Sequence, residues 1–314
     1  MTPHTGRNPE IPRTRGSRYT AVMNEVVFDS PFGEWRVTTC PPPLDLAPYI
    51  ESFWETYGTV GYGYEKLLPS GTAEFMLNLG PPQSVLERPA DDNPATFRHA
   101  WLSGIQQAPL LTAPAHGADT FTTHFVSASL RPEGVCELFG TDAIDTAGRV
   151  IDAEDLVGYG IRSLRDSMGE TSRTSVRFAA LADFLRLQRK TRARPAPFAA
   201  VWAMGRTLAS NGDLRIDQLC DELGISRKHL NKAYSSATGL SPKTYARLTR
   251  FRSVLSRLQE PLDAWADIAA DRGYFDQAHL IRDFKQFAGE TPASFLKTRA
   301  PDGESVNFTE RPER

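Results

Sequence analysis

The sequence is poor in cysteine and has no long apolar run, and each shortage excludes a class of protein. Its 314 residues include only three cysteines, Cys40, Cys136 and Cys220. Widely separated cysteines in odd number fit neither a disulfide framework nor a zinc knuckle, so we expect reduced, structural residues, with a redox-sensing role as the alternative. No stretch of about 18 apolar residues occurs, and residues 1–18 lack the apolar core of a secretory signal. These absences predict a cytoplasmic protein without a membrane partner.

Motifs for catalysis and metal binding are also missing. There is no Gly-x-Ser-x-Gly, no cysteine with an evident histidine partner and no phosphate-binding glycine loop. The histidines of the first half form no His-x-His pair, so we expect no metal and interpret them as surface or hydrogen-bonded core residues. The metal-ligand candidates set aside in this way are His99, His116, His124 and Glu74. We therefore expect no catalytic residue, no cofactor and no enzymatic activity.

Charge is nearly balanced over the whole chain but unevenly distributed along it. The net charge is −2, whereas residues 195–300 carry 15 Lys and Arg against 11 Asp and Glu, a local net charge of +4. The remainder is therefore acidic. A chain of this length accommodates two domains, and such a charge difference is expected where a DNA-binding half is joined to a half with another task.

Composition and hydropathy divide the chain into five parts. Short β-rich segments, such as residues 35–39 and 121–130, alternate with prolines and glycines and predict a domain of barrel or sandwich type. Helical spacing follows, so the predicted fold class is multidomain α+β. The predicted parts are a disordered tail over 1–23, a β-rich domain over 24–160, a helical connector and linker over 161–195, an all-α domain over 196–300 and a disordered tail over 301–314. Met23, which opens the first β-rich segment, is a predicted alternative translation start.

The segment 44–58 admits two interpretations. Leu46, Ile50 and Phe53 lie at helical spacing, and Trp54 widens the same side. The last residues of the segment, SFWETYG, are equally typical of a strand.

The connector contains an apolar stripe formed by Phe178, Leu181, Ala182 and Leu185. A helix with this stripe either packs on the β-rich domain or pairs with its copy in a second subunit. Residues 191–197, which include two prolines and show no periodicity, are the predicted linker.

Aromatic residues of the β-rich part also have two interpretations. They either line an apolar ligand pocket or form ordinary core, and the core is favoured because most aromatic residues of β domains lie there. The residues concerned are Trp35, Trp54, Tyr57, Tyr62, Tyr64, Phe75 and Trp101.

An internal repeat with an offset of 50 residues is the most informative feature of the sequence. Residues 226–245 and 276–295 place the same residue types where a capped helix, a glycine turn and a second helix require them. The shared positions are an N-cap (Ser226 or Asp276), two core residues (Leu230 and Tyr234, or Leu280 and Phe284), a helix-ending glycine (Gly239 or Gly289), a Ser-Pro or Thr-Pro helix start (Ser241 or Thr291) and a closing aromatic residue (Tyr245 or Phe295).

A further short helix is predicted upstream of each copy, over residues 215–224 and 264–273, and each ends in glycine. Helix, glycine turn and capped helix together make a helix-turn-helix unit. Residues 242–258 predict a long amphipathic helix between the units, able to fix their separation. Four of its residues are predicted to contact the DNA backbone: Arg247, Arg250, Arg252 and Arg257.

The outward positions of the second helix in each unit carry side chains that can donate to base edges or phosphates. They are Arg227, Lys228, Asn231 and Lys232 in the first unit, and Gln277, His279, Arg282 and Lys285 in the second. A helical bundle with a solvated polar face is the alternative, but the repetition of caps, glycines and basic faces favours DNA reading. Asn231, Gln277 and His279 argue against a purely electrostatic DNA binder. We therefore predict a double helix-turn-helix domain that binds double-stranded DNA in a sequence-specific manner.

The second unit, over residues 268–297, resembles the AraC/XylS family of transcription regulators almost throughout. The resemblance implies two units on one face of DNA, joined by a long helix, with both recognition helices in successive major grooves. It also implies base-reading roles for Lys228, Asn231, Lys232, His279 and Arg282, with Gln277 near the helix start. Ala278 departs from this pattern, since a longer polar side chain is expected there.

Residues 64–80 and 129–140 resemble the β-rich, cupin-like N-terminal regions of some members of this family. This likeness implies an effector-sensing or dimerising domain over 24–160. The partners implied are double-stranded DNA, RNA polymerase, a small-molecule effector and a second copy of the chain. Activation and repression are both compatible with these features.

Overall fold

The computed structural model describes residues 22–86, 94–115, 120–258, 264–303 and 305–310. Most of the predicted N-terminal tail, and His116, lie outside these ranges. Within them, no helix combines the length and the apolar character needed to cross a membrane.

The β strands of the described residues form two sheets. The strands are β1 Asn24–Ser30, β2 Gly33–Cys40, β3 Ile50–Val60, β4 Tyr64–Leu67, β5 Ala73–Asn78, β6 Gln83–Leu86, β7 Ala95–Phe97, β8 Ala100–Ser103, β9 Leu110–Pro114, β10 Phe121–Leu130, β11 Val150–Asp152 and β12 Ser305–Phe308. The large sheet has the order β1-β2-β3-β10-β5-β8-β11, and the small sheet has the order β12-β4-β9-β6-β7.

The first helix, α1, lies between β10 and β11, and the other α helices lie between β11 and β12. They are α1 Gly134–Phe139, α2 Ala153–Val157, α3 Gly160–Gly169, α4 Thr174–Arg192, α5 Phe198–Ala209, α6 Ile216–Leu223, α7 Arg227–Thr238, α8 Pro242–Arg257, α9 Trp265–Asp271, α10 Gln277–Ala288 and α11 Pro292–Thr298, with a 3-10 helix over Ala143–Asp145. The predicted fold class, a β-rich domain followed by helices with two helix-turn-helix units, is confirmed.

Alternation along the strands gives the large sheet two different faces. Phe53 and Phe75 lie on the face covered by α4, where Phe53 stacks on Phe178 with 5.8 Å between ring centroids. Trp101 lies on the other face and contacts Phe97 of the small sheet, also at 5.8 Å. One face therefore packs on the connector helix and the other faces the second sheet.

The two segments with open interpretations now have definite structures. The strand interpretation is correct for residues 50–58, which belong to β3, while residues 44–49 form a turn. The apolar stripe of α4 is fully buried and packs on the large sheet, so the first alternative for the connector is the correct one. Arg177 of α4 also forms a buried ion pair with Glu55 of β3.

The C-terminal segment differs from the disordered tail predicted over 301–314. Residues 305–308 form β12, which pairs antiparallel with β4 from Ser305 opposite Leu67 to Phe308 opposite Tyr64. Val306 is 1% exposed and belongs to the main core. The alternation of polar and apolar residues over 305–308 is too short to predict a strand by itself, and the strand forms where β4 supplies backbone partners.

A partly buried carboxyl group lies where β12 meets β4. The phenol of Tyr62 donates to Glu65 Oε2 over 3.2 Å, and Ser305 and Asp302 of the C-terminal segment lie beside the same carboxyl group. Burial, together with the charge of Asp302, raises the pKa of Glu65 from 4.5 to about 7. Folded protein therefore holds a proton on Glu65 at pH values where the unfolded chain has released it.

Substituting Glu65→Gln is expected to weaken the pH dependence of stability. Because the pKa of Glu65 is higher in the folded state, the free energy of unfolding of the parent chain falls as pH rises from about 4.5 to about 7. Between pH 5 and pH 8 the substitution is expected to remove about 2–3 kcal/mol of this pH dependence, since one pKa unit corresponds to about 1.4 kcal/mol. Urea unfolding at pH 5 and pH 8 measures it, with the exposed Glu170→Gln as control. Identical pH profiles for the parent and Glu65→Gln chains would refute the role given to Glu65.

Candidate nucleic-acid interface

Two helix-turn-helix units are formed by α6 with α7 and by α9 with α10. The recognition helix of each unit starts at a capping side chain: Ser226 accepts from the backbone N–H of His229 over 3.2 Å, and Asp276 accepts from that of His279 over 2.6 Å. Each helix ends at a left-handed glycine, Gly239 (φ 73°) or Gly289 (φ 77°). The caps and glycines therefore act as the repeat predicts.

The helix after each recognition helix also starts as predicted. Ser241 accepts from the backbone N–H of Thr244 over 3.1 Å, and Thr291 accepts from that of Ser294 over the same distance. A proline occupies the first turn of both helices, where its missing N–H costs no hydrogen bond. These helices, α8 and α11, pack against the buried sides of the two recognition helices.

Aromatic residues form the core beneath the two units. Phe251 of α8 contacts both Phe284 and Phe287 of α10, with 5.2 Å between ring centroids in each pair. In the first unit, Tyr234 contacts Tyr245 at 5.8 Å and its hydroxyl lies 3.1 Å from that of Thr207. This core packs against the buried sides of α7 and α10 and leaves their outer faces exposed.

The predicted recognition residues lie on the outer faces of α7 and α10. Seven of the eight are exposed: Arg227, Lys228, Asn231, Lys232, Gln277, Arg282 and Lys285. Ala278, at the departure from the family pattern, is exposed as well. The eighth residue, His279, is partly buried: its ring contacts the edge of Tyr274 at 5.2 Å, and its Nε2 lies 4.0 Å from Asp283.

Arg227 differs from its neighbours because its guanidinium group is already paired. It donates to Asp217 of α6, which ties the two helices of the first unit together. Hydrogen bonding to Asp217 raises the pKa of Arg227 above its ordinary value. A guanidinium group held in this way is less available to DNA than the amino group of Lys228.

Three of the four arginines of α8 that are predicted to contact the DNA backbone have partners within the chain. Arg247 donates to buried Asp283 of α10 over 2.7 Å, and Arg250 donates to the backbone carbonyl of Gly273 over 2.9 Å. Arg252 packs against Gly71 of the β-rich domain. Three of the four arginines therefore join parts of the chain to one another. The spacing of residues along α8 could not reveal these contacts, because the partners lie on other elements.

Phe275 is a feature that the repeat alone did not indicate. It is 93% exposed, although the residue before the other cap, Ile225, packs partly against the core. The second turn is one residue longer than the first, because Tyr274 takes the buried place and displaces Phe275 outward. The signal is present in the sequence, as two residues separate Gly273 from its cap and one separates Gly224 from its own.

The aromatic residues considered as a pocket lining do not converge on one site. Phe75 is core beneath α4, while Trp35 and Tyr62 form a separate small cluster with Val60. Trp101 lies between the sheets, and Tyr57 is 41% exposed. Trp54, on the inner face, and Tyr64, which pairs with Phe308 in the small sheet, are partly buried. The core interpretation therefore suits Trp35, Tyr62 and Phe75.

The metal-ligand candidates also lie apart. Glu74 accepts from Trp54, Thr72 and two serines of β10, on the face that looks towards the small sheet, and burial raises its pKa. His124 lies on the opposite face of β10 and bonds to Glu55 over 2.9 Å. Over the described ranges, no cluster of three metal-ligating side chains is found.

The three cysteines are buried and unpaired by disulfide. Burial raises the pKa of Cys136 and of Cys220, which disfavours the reactive thiolate. Both observations support a structural role.

Comparison with known proteins places the helical part of the chain in a known group. A helix-turn-helix domain family matches residues 219–298. The chain is 30% identical over 84 residues to the Msm operon regulatory protein of Streptococcus mutans, and 32% identical over 88 residues to the probable transcription factor PqrA of Proteus vulgaris. The aligned segments cover 30% and 72% of these relatives, and 27% and 28% of this chain.

A solved structure of ToxT from Vibrio cholerae is similar over 78% of this chain and 98% of its own, with a TM-score of 0.48 and 10% sequence identity. The two sequence relatives are named as regulators of an operon or of transcription, in agreement with the expectation that the chain is not an enzyme. PqrA shares more than 30% identity and is covered over most of its length. The chain belongs to the AraC-type helix-turn-helix family of DNA-binding transcription regulators.

Proposed function

We propose that the chain reads a specific DNA sequence by placing α7 and α10 in successive major grooves. The observation that carries this proposal is the repetition of one capped, exposed and polar helix in two units, each packed on aromatic residues. Helix-turn-helix proteins contact bases with the N-terminal part of the second helix, which is where both caps lie.

The proposed base-reading side chains are Lys228, Asn231, Lys232, His279 and Arg282, with Gln277 at the start of α10. Arg282 and Lys228 suit guanine, whose O6 and N7 accept two hydrogen bonds, and Asn231 suits adenine. Lys285 lies further along α10 and suits a phosphate. Arg227 has a secondary role, because DNA has to compete with Asp217 for its guanidinium group.

Sequencing of genomic fragments retained by the purified full chain at near-physiological salt tests this proposal. We expect a shared motif of two half-sites about one helical turn apart. An architectural DNA binder would instead retain random fragments and would respond mainly to salt concentration. Random retention would therefore contradict sequence-specific reading.

Phe275 is proposed to extend the recognition surface of the second unit. It directly precedes the cap of α10, and its exposed ring suits the C5-methyl group of a thymine in the same groove.

Replacing thymine with deoxyuridine at the contacted position is expected to weaken binding of the parent chain about threefold or more, because the methyl contact is lost. A Phe275→Ala chain has no such contact and is expected to bind both duplexes equally. Fluorescence anisotropy with the four combinations measures the effect. Equal sensitivity of parent and variant to deoxyuridine at every position would disprove the contact.

Regulation through the β-rich domain, over residues 24–160, is the remaining part of the proposal. Its proposed partners are a small-molecule effector, a second copy of the chain and, on DNA, RNA polymerase. An effector alters DNA affinity only if it prefers one arrangement of the chain over another. Sedimentation velocity of the full chain tests the homodimer, and a single species with the mass of one chain at micromolar concentration would exclude it under those conditions.

A further inference from the structure

We propose that the β-rich domain sets the separation and relative orientation of α7 and α10 by holding both helix-turn-helix units at their equivalent glycine turns. The inference rests on the proposed reading of DNA by both helices. It adds an account of what fixes the distance between α7 and α10. Three independent sets of contacts support it.

The first unit is held at the end of α7. Gly239 lies directly against Ala143 and Ala147, so closely that an added Cβ would overlap with the Cβ of Ala147. One turn earlier, the hydroxyl of Ser236 donates to Asp142. Cys136 adds a contact, with its Sγ 3.4 Å from the backbone oxygen of Ser236.

The second unit is held at the corresponding turn after α10. Gly289, which occupies the position of Gly239 one repeat later, lies near Pro109, whose Cγ would be 3.6 Å from a Cβ added at this glycine. The next residue, Glu290, forms an ion pair with Lys66 of β4. Both side chains of this pair are about four-fifths buried, with 18% and 19% exposed, so the pair is better protected from solvent than an ordinary surface ion pair.

The strand β12 ties the second unit to the same edge. It pairs with β4 over Ser305–Phe308, next to Lys66, and only residues 299–304 separate it from α11. Arg299 within this connection donates to the backbone oxygen of Leu258 over 2.7 Å. A connection this short couples the position of β12 to that of the whole second unit.

The contacts leave the DNA-facing side of both units free. They lie at the C-terminal turns of α7 and α10, whereas the exposed residues Lys228, Asn231 and Gln277 lie in the first turns. Helix-turn-helix proteins use that N-terminal part on bases, so the domain can hold both helices while they are bound to DNA.

Rigid holding has a consequence for half-site spacing. Moving one half-site by one base pair displaces it by roughly 3.4 Å and rotates it by roughly 35° around the DNA axis. Two helices held in a fixed arrangement cannot follow this change, whereas two units joined by α8 alone can bend relative to each other. The contacts at Asp142, Lys66 and β12 are thus positioning contacts for sequence reading.

The experiment compares duplexes that carry the two selected half-sites at the selected spacing and with one base pair added or removed. The full chain is tested beside a Lys66→Glu variant and beside the Lys66→Glu, Glu290→Lys variant, in which the ion pair is restored with reversed signs. A chain that ends at residue 303 lacks β12, and a chain that ends at residue 310 retains it as a control. A duplex with a single half-site reports whether each variant still reads DNA.

We expect the full chain to bind the shifted duplexes about tenfold more weakly than the selected one. The Lys66→Glu chain and the chain ending at 303 are expected to reduce this ratio to about twofold while binding a single half-site normally. The charge-reversed pair and the chain ending at 310 are expected to keep the full ratio. An unchanged ratio in both disrupted chains would overturn this inference alone. Absence of any sequence preference in the full chain would instead overturn the proposed function, and this inference with it.

Discussion

A chain that carries Lys228→Ala together with Arg282→Ala is expected to lose specific DNA binding by about 100-fold or more. Each substitution removes an exposed donor from the first turns of one recognition helix, and a well-placed base contact discriminates by roughly 1–3 kcal/mol. Both side chains are exposed, so the fold is expected to be retained. Fluorescence anisotropy on the selected duplex and on a scrambled duplex measures the loss.

A matched control separates sequence reading from net charge. Arg173→Ala with Lys190→Ala also removes two positive charges, but from the ends of the connector helix α4, where both side chains are exposed. This control is expected to leave the ratio of specific to scrambled affinity unchanged. Equal losses in the two double variants would mean that the recognition helices contribute only charge.

Gly239→Ala is expected to lower the free energy of unfolding by roughly 2–5 kcal/mol, the combined cost of a left-handed alanine and of overpacking. The added Cβ would overlap with Ala147 and would lie 2.8 Å from the carbonyl oxygen of Ala143. Because both contacts belong to the β-rich domain, the substitution also loosens the first unit from it. Urea unfolding measures the cost.

Gly224→Ala supplies the comparison for this second prediction. Gly224 is left-handed too, with φ 64°, but its added Cβ would meet nothing within 4 Å. Only the backbone cost of roughly 1–2 kcal/mol is expected there. Equal costs at Gly224 and Gly239 would show that Gly239 is not confined by the β-rich domain.

The units themselves could be predicted from the sequence because their determinants are local. An N-cap side chain and the backbone N–H that donates to it are three residues apart, as in Ser226 with His229, and a left-handed turn needs only a glycine at the right place. The stripe of α4 was equally readable, since it requires only helical spacing. Each of these local signals occurs in both copies of the repeat, which strengthens the prediction of two equivalent units.

The contacts that join distant elements could not be predicted in this way. Arg227 and Arg247 look like free donors on a helix surface, yet their partners Asp217 and Asp283 lie on other helices. Residues 305–308 become a strand only because β4, more than 200 residues earlier, presents an open edge. Such contacts depend on tertiary packing, which the local periodicity of a single sequence does not encode.

Hydroxyl-radical footprinting of the full chain on its selected duplex tests the central claim most directly, because it shows where each recognition helix lies on the DNA. Reading by α7 and α10 predicts two protected patches on one face of the duplex, about one helical turn apart. The Lys228→Ala chain is expected to lose one patch and the Arg282→Ala chain the other. A single patch, or loss of the same patch in both variants, would contradict reading by two helices.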